Sequence, residues 1–387
     1  MKFKFNSLSS VQLQFYPFFL ACVLAFGSCC CAGRYLAGTD ILNSSSAVPF
    51  KRFTEAISAE GQFLPTFSEL YQLALGAREK DRTLVLVGGD SIFYGLGQDR
   101  EHLWSESLKK DLGSDFTVVN LAFRGGGLMQ GAWFVFESLG SKYKDVVFVG
   151  NTWADRVVQA PLSDSPYSYL YLDGLDKGYI KESAERQNYI EKTVSSLSKQ
   201  DSTSPDQILG SRLDSLFYFK DLWNAASYSV LSTSWSKELG GFSFKPRSAY
   251  LDTASIDLDS AKKSDDFFLD LIKKEYIVQD AIRWSKLTEA VRALSPAASL
   301  RNRMLIVDVA PSPQIVNRLS EHERTLLSAT RERAASIYRQ AGYAVLDVDA
   351  IDAEGYIDGV HLNALGAAIL AEQVCRALKR LGREGDN

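Results

Sequence analysis

Histidine is scarce in this chain, with three residues, at 102, 322 and 361, among 387. Cysteine is scarce wherever a folded domain would use it. Four of the five (Cys22, Cys29, Cys30 and Cys31) fall inside one apolar run near the N-terminus. They make no disulfide framework for the remainder. Cys375 falls with Ala371, Val374 and Leu378 at helical spacing and reads as an inert core thiol. So few histidines and sequestered cysteines argue against a metal site, and neither metal nor cofactor is expected. An excess of one charge is missing too. Against 43 basic residues stand 47 acidic ones, a net charge of −4, which lacks the basic footprint of a nucleic-acid binder. There is no internal repeat. The spacing of Gly125, Gly126 and Gly127 to Gly131 does not make a dinucleotide fingerprint.

One long hydrophobic run is present, from about Phe15 to Gly33. A bilayer core needs about 20 apolar residues as a helix, so the run is just long enough to span. Lys2 and Lys4 before it, and a single Arg34 after it, favour an N-inside, C-outside orientation. Residues 1–38 are therefore expected to be a membrane anchor or signal segment, with the rest of the chain on the outer side. Ser28 and Ala32 keep a cleaved signal open, Cys29 to Cys31 keep acylation open, and a buried helix is the third reading.

Five short runs rich in Val, Leu and Ile read as strands buried on both faces: Thr83–Val87, Phe116–Leu121, Val146–Val149, Met304–Val309 and Tyr343–Val348. Helical stripes separate them. Trp104, Leu108 and Leu112 make one, and Leu128, Ala132, Val135 and Leu139 another. Leu327, Ala334 and Ile337 make a third, and Asn363 can cap a final helix. Such alternation predicts a doubly wound α/β fold with a five-stranded parallel sheet. The third and fourth strands lie much further apart than an ordinary crossover requires. Residues 156–299 are expected to be a mostly helical inserted subdomain or lid, leaving 39–155 and 300–387 as the main domain. The aromatic residues Tyr167, Tyr169, Tyr171, Phe217, Trp223 and Trp235 are its core or the lining of a sugar cleft.

The polar residues with chemistry to offer cluster after strands, where open α/β sheets bind ligands. Gly88-Gly89-Asp90-Ser91 follows the first strand, Asn120 to Gly127 the second, and Gly150-Asn151-Thr152 the third. Asp358-Gly359-Val360-His361 precedes the last helix. A serine hydroxyl is a weak nucleophile until a base lies within hydrogen-bond reach, and a carboxylate three residues before a histidine can orient the ring.

In order and content these four pieces resemble the SGNH (GDSL-type) hydrolase family, over about 80–155 and 300–380. The resemblance implies a flavodoxin-like α/β/α sandwich and an acyl-ester hydrolase or transferase. It implies Ser91 as nucleophile, His361 as general base and Asp358 as its orienting partner. It also implies an oxyanion hole from the Ser91 and Gly125 backbone and the Asn151 side-chain amide. Aligned on glycine, Thr152 would take the place of Asn151. Each piece has a plainer reading: Gly-Asp-Ser as a turn, Asp-x-x-His as a helix cap, Gly125 as a tight bend, Asn151 as a backbone brace. His102 and His322 read as solvated.

Three functions stay open. One is an exported serine esterase acting on an acyl-ester substrate, an O-acylated carbohydrate favoured. The second is an O-acyltransferase of envelope or exported polysaccharide, fed by a membrane-bound acyl-donor partner. The third is a non-catalytic glycan-binding module.

Overall fold

The computed structural model describes residues 10–37, 67–95, 98, 102–122, 127–152, 174–175, 177–181, 183–189, 258–277, 281–348 and 351–384. Thr83–Gly88 (β1), Phe116–Asn120 (β2), Val146–Thr152 (β3), Met304–Asp308 (β4) and Ala344–Asp347 (β5) form one sheet in the order β2-β1-β3-β4-β5. Every pairing is parallel. The protein is a three-layer α/β/α sandwich with the flavodoxin-like strand order. The order reverses direction between β1 and β3, and that crevice is where such sheets bind ligands.

The strands carry apolar residues without polar alternation because helices cover both faces. On β1, Leu84 and Leu86 enter one core while Val85 and Val87 enter the other. The helices Phe67–Ala77, Gly131–Gly140 and Ala281–Leu294 close the first face. Trp104–Leu112 and Ala364–Glu384 close the second. Glu321–Gln340 serves both, giving Leu327 to the second core and Ala334 and Tyr338 to the first. A capping box fixes its start, with Ser320 Oγ accepting the Glu323 N–H and the Glu323 carboxylate accepting the Ser320 N–H. Cys375 is buried in the second core, and the Asn363 carboxamide caps the last helix by accepting the Leu365 and Gly366 N–H groups.

Two differences from the sequence reading have physical causes. β3 runs to Thr152, three residues past its predicted end. The ladder continues through Gly88↔Gly150, Asn151↔Val307 and Thr152↔Asp308, and this pairing overrides the loop tendency of Gly-Asn. Secondly, the helix Ala281–Leu294, predicted within the insertion, buries Trp284, Leu287, Val291 and Leu294 against the sheet. It is a layer helix on the way from β3 to β4. The aromatic residues at 167–171 and 217–235 lie outside the described residues.

The N-terminal run forms a 28-residue helix, Ser10–Ala37, with Pro17 inside it and Phe18, Phe19, Leu20 and Leu24 exposed. Among the described residues no helix is long and apolar enough to cross a membrane.

Candidate active site

β1 ends at Gly88, and the chain turns through Gly89 and Asp90 into a one-turn helix, Ser91–Tyr94. Gly89 has φ of +131°, and a Cβ there would lie 1.9 Å from Asn151 Oδ1, so only glycine fits. Asp90 caps the helix, its Oδ1 accepting the Ile92 N–H at 2.8 Å. The same oxygen accepts Asn151 Nδ2 at 2.8 Å, while the Asp90 N–H donates to Asn151 Oδ1 at 3.1 Å. Strand β3 is thus locked to the turn that presents Ser91.

Two further side chains hold this corner. Asn120, ending β2, donates to the Phe93 carbonyl at 2.8 Å and accepts the Ala122 N–H at 3.0 Å. Gln98 is buried. It donates to the Leu362 carbonyl at 3.1 Å and accepts the Trp104 N–H at 2.9 Å. Gln98 therefore ties the loop after Ser91 to the residue after His361.

The other half arrives on a tight turn before the last helix. Asp358 Oδ1 accepts the N–H groups of Val360 and His361 at 2.9 and 2.8 Å. That local ring of hydrogen bonds is what Asp at the head of such a turn makes by itself. Asp358 Oδ2 lies 2.8 Å from His361 Nδ1, and His361 Nε2 lies 2.9 Å from Ser91 Oγ, 270 residues away in sequence. His361 is 6 % exposed, so water competes little for these bonds. Phe268 stands edge-on to the imidazole, with ring centroids 5.5 Å apart and an interplanar angle of 76°.

Burial pushes the Asp358 carboxyl up. The side-chain hydrogen bond and charge of His361, with the backbone N–H groups of His361 and Val360, together outweigh it and hold the carboxyl below its ordinary range. An ionised carboxylate is what keeps the proton on Nδ1 and leaves Nε2 to accept from a hydroxyl.

Of the residues picked from sequence, Ser91, His361 and Asp358 meet within hydrogen-bond distance. Asn151 lies on the same side of the sheet, joined to Asp90. Thr152 does not, because consecutive strand residues point to opposite faces. It follows Val146 and Phe148 into the first core, whereas Asn151 follows Val149 toward the second. Gly125 lies outside the described residues. His102 is exposed in the turn before Trp104–Leu112, and His322 is exposed in the first turn of Glu321–Gln340. Among the described residues no group of His, Cys, Asp or Glu could hold a metal ion. Sequence reasoning missed Gln98 and Phe268, which carry no local motif. It also missed the pairing of Asp90 with Asn151, which the adjacency of Asp90 to Ser91 could have flagged.

No family model matches the chain, and no curated protein does. Among solved structures, one crystal structure aligns at 14% identity, covering 78% of this chain and 98% of its own, with a TM-score of 0.33. A likeness that weak says nothing about function.

Proposed function

We propose that the protein is a serine esterase of the SGNH type, acting on acyl esters through an acyl-enzyme on Ser91. The observation that carries this reading is the continuous chain Ser91 Oγ to His361 Nε2, and His361 Nδ1 to Asp358, at 2.9 and 2.8 Å. Ser91 Oγ attacks the acyl carbonyl carbon while its proton passes to His361 Nε2. Asp358 stabilises the imidazolium that forms. The tetrahedral oxyanion collapses, the C–O bond to the leaving alcohol breaks, and the imidazolium returns its proton to that alcohol. Water then attacks the acyl-enzyme, again giving its proton to Nε2, and releases the acid with Ser91 restored.

The oxyanion needs donors fixed beforehand, each worth about 3 kcal/mol in the transition state. The Ser91 N–H opens a helix and has no acceptor within it. A primary amide carries two N–H hydrogens, and Asn151 gives one to Asp90. The second serves the oxyanion. Gly125 supplies a backbone N–H in the same reading. An O-acylated carbohydrate is the favoured substrate class, and transfer of the acyl group to a sugar hydroxyl instead of water uses the same steps.

Fluorophosphonate labelling of the protein beside Ser91→Ala and His361→Ala, with a short panel of acyl esters, tests the reading. Labelling lost in both variants, together with ester turnover by the wild type, supports it. A folded wild-type protein that takes no label would remove the esterase and leave a binding module on the same fold.

A further inference from the structure

The helix Leu258–Leu271 lies between β3 and β4, in the stretch that the sequence sets apart from the main domain. It nevertheless reaches the turn that carries Asp358 and His361. The Phe268 ring meets the imidazole edge-on at 5.5 Å. A Cβ on Gly359 would lie 2.9 Å from Phe268 Cβ and 2.8 Å from Ile315 Cδ1, so the helix can come this close only because residue 359 is glycine. Ion pairs hold the helix and its continuation in place, Arg318 with Asp266 and, at 3.4 Å, Lys273 with Glu323.

We propose that Phe268 is a positioning residue for the Asp358–His361 pair, so that the segment between β3 and β4 completes the general base. The inference rests on the esterase reading for its kinetics and on geometry for its structural content. The turn is held from two sides. Asp358 Oδ1 takes the Val360 and His361 N–H groups from within, and Phe268 packs against Gly359 and the imidazole from without. Phe268 blocks one side of the imidazole and keeps Nε2 directed at Ser91.

The test uses the full chain, p-nitrophenyl acetate as probe, and two variants, Phe268→Ala and Phe268→Leu. Misplacement by about 1 Å can cost about 100-fold in rate, so Phe268→Ala is expected to lose about 10- to 100-fold in kcat with KM little changed. Phe268→Leu keeps apolar bulk beside the ring and restores most of that loss. The proton resonance of the His361 Nδ1–H bond to Asp358 is followed in the same samples by NMR. It is expected to be sharp in wild type and Phe268→Leu, and broadened in Phe268→Ala. Unchanged kcat in Phe268→Ala overturns the proposal, as does a loss confined to KM, which makes the helix a substrate wall. If the wild type turns over no ester, the esterase reading fails on its own. The resonance then decides: broadening in Phe268→Ala upholds the positioning role, and a resonance indifferent to both substitutions ends it.

Discussion

Asp358 sits on the turn before the last helix, and Glu137 sits on the helix Gly131–Gly140 across the sheet. Each is a largely buried carboxylate with one basic side chain as partner. Asp358 faces His361 at 2.8 Å, and Glu137 holds Arg186 through both its oxygens at 3.0 and 3.1 Å. Yet Asp358 is held below the ordinary carboxylate range. Glu137 is raised above its own by burial, against the charge and hydrogen bonds of Arg186. The difference is in the further donors. Asp358 collects two backbone N–H groups besides its partner, whereas Arg186 divides its guanidinium among Glu137 and the carbonyls of Lys181 and Leu294. Convergence of donors on a carboxylate, more than possession of a cation, sets its ionisation. In the esterase reading one pair manages a proton. The other clamps residues 183–189 and the helix Ala281–Leu294 onto the sandwich.

The largest way to break this contrast is Asp358→Asn. An amide still accepts the backbone N–H groups but cannot take the proton of Nδ1, so the imidazole settles in the wrong tautomer. Ester turnover is expected to fall about 10⁴-fold, with thermal unfolding nearly unmoved. Arg186→Ala should do the reverse. It strands a buried carboxylate and is expected to cost about 3–5 kcal/mol in urea unfolding, leaving turnover per folded molecule unchanged. Converting the pair together, Glu137→Leu with Arg186→Met, should recover most of that stability, because packed apolar groups need no desolvation.

Asn151→Ala comes next. In the esterase reading Asn151 is an oxyanion donor, whose removal costs about 10²- to 10³-fold in kcat, and the change also unties Asp90 from β3, so kcat should fall while KM holds. The smallest effect is in acid. Asp358, depressed on folding, adds stability that is complete above its unfolded value of about 3.9 and is lost as pH falls through the lower folded value. Glu137, raised on folding, acts with the opposite sign, its contribution complete below about 4.3 and lost as pH rises through its folded value. Carboxyl carbon NMR titration checks both, with the Asp358 midpoint expected below the ordinary range and the Glu137 midpoint above it. A common midpoint would erase the contrast.

The strand runs were legible because burial on both faces leaves no polar alternation, and four of five strands begin where the apolar pattern begins. Strand ends were less so. β3 continues through Gly150 and Asn151 because its neighbours supply partners, information held in β1 and β4. Whether Asn151 or Thr152 faces Ser91 was undecidable from the motif, since one step along a strand changes face. The ladder decides for Asn151. The helix Ala281–Leu294 was assigned to an insertion on length, but its apolar side belongs to the sheet. Phe268 had no motif at all, being an ordinary residue of a polar helix until that helix meets Gly359.

By itself the sequence determined what depends on a few neighbouring residues. Asp358 folds its own turn onto Val360 and His361, Asp90 caps its own helix, and Asn363 starts the last one. Such bonds close small rings and need no distant partner. Only the tertiary structure decided what depends on register and on closing long stretches of chain. It brings Ser91 within 2.9 Å of His361 across 270 residues, chooses Asn151 over Thr152, and lays Phe268 against the imidazole. The reason is physical: the sheet sets which residues share an end and a face, and no local sequence carries that coordinate.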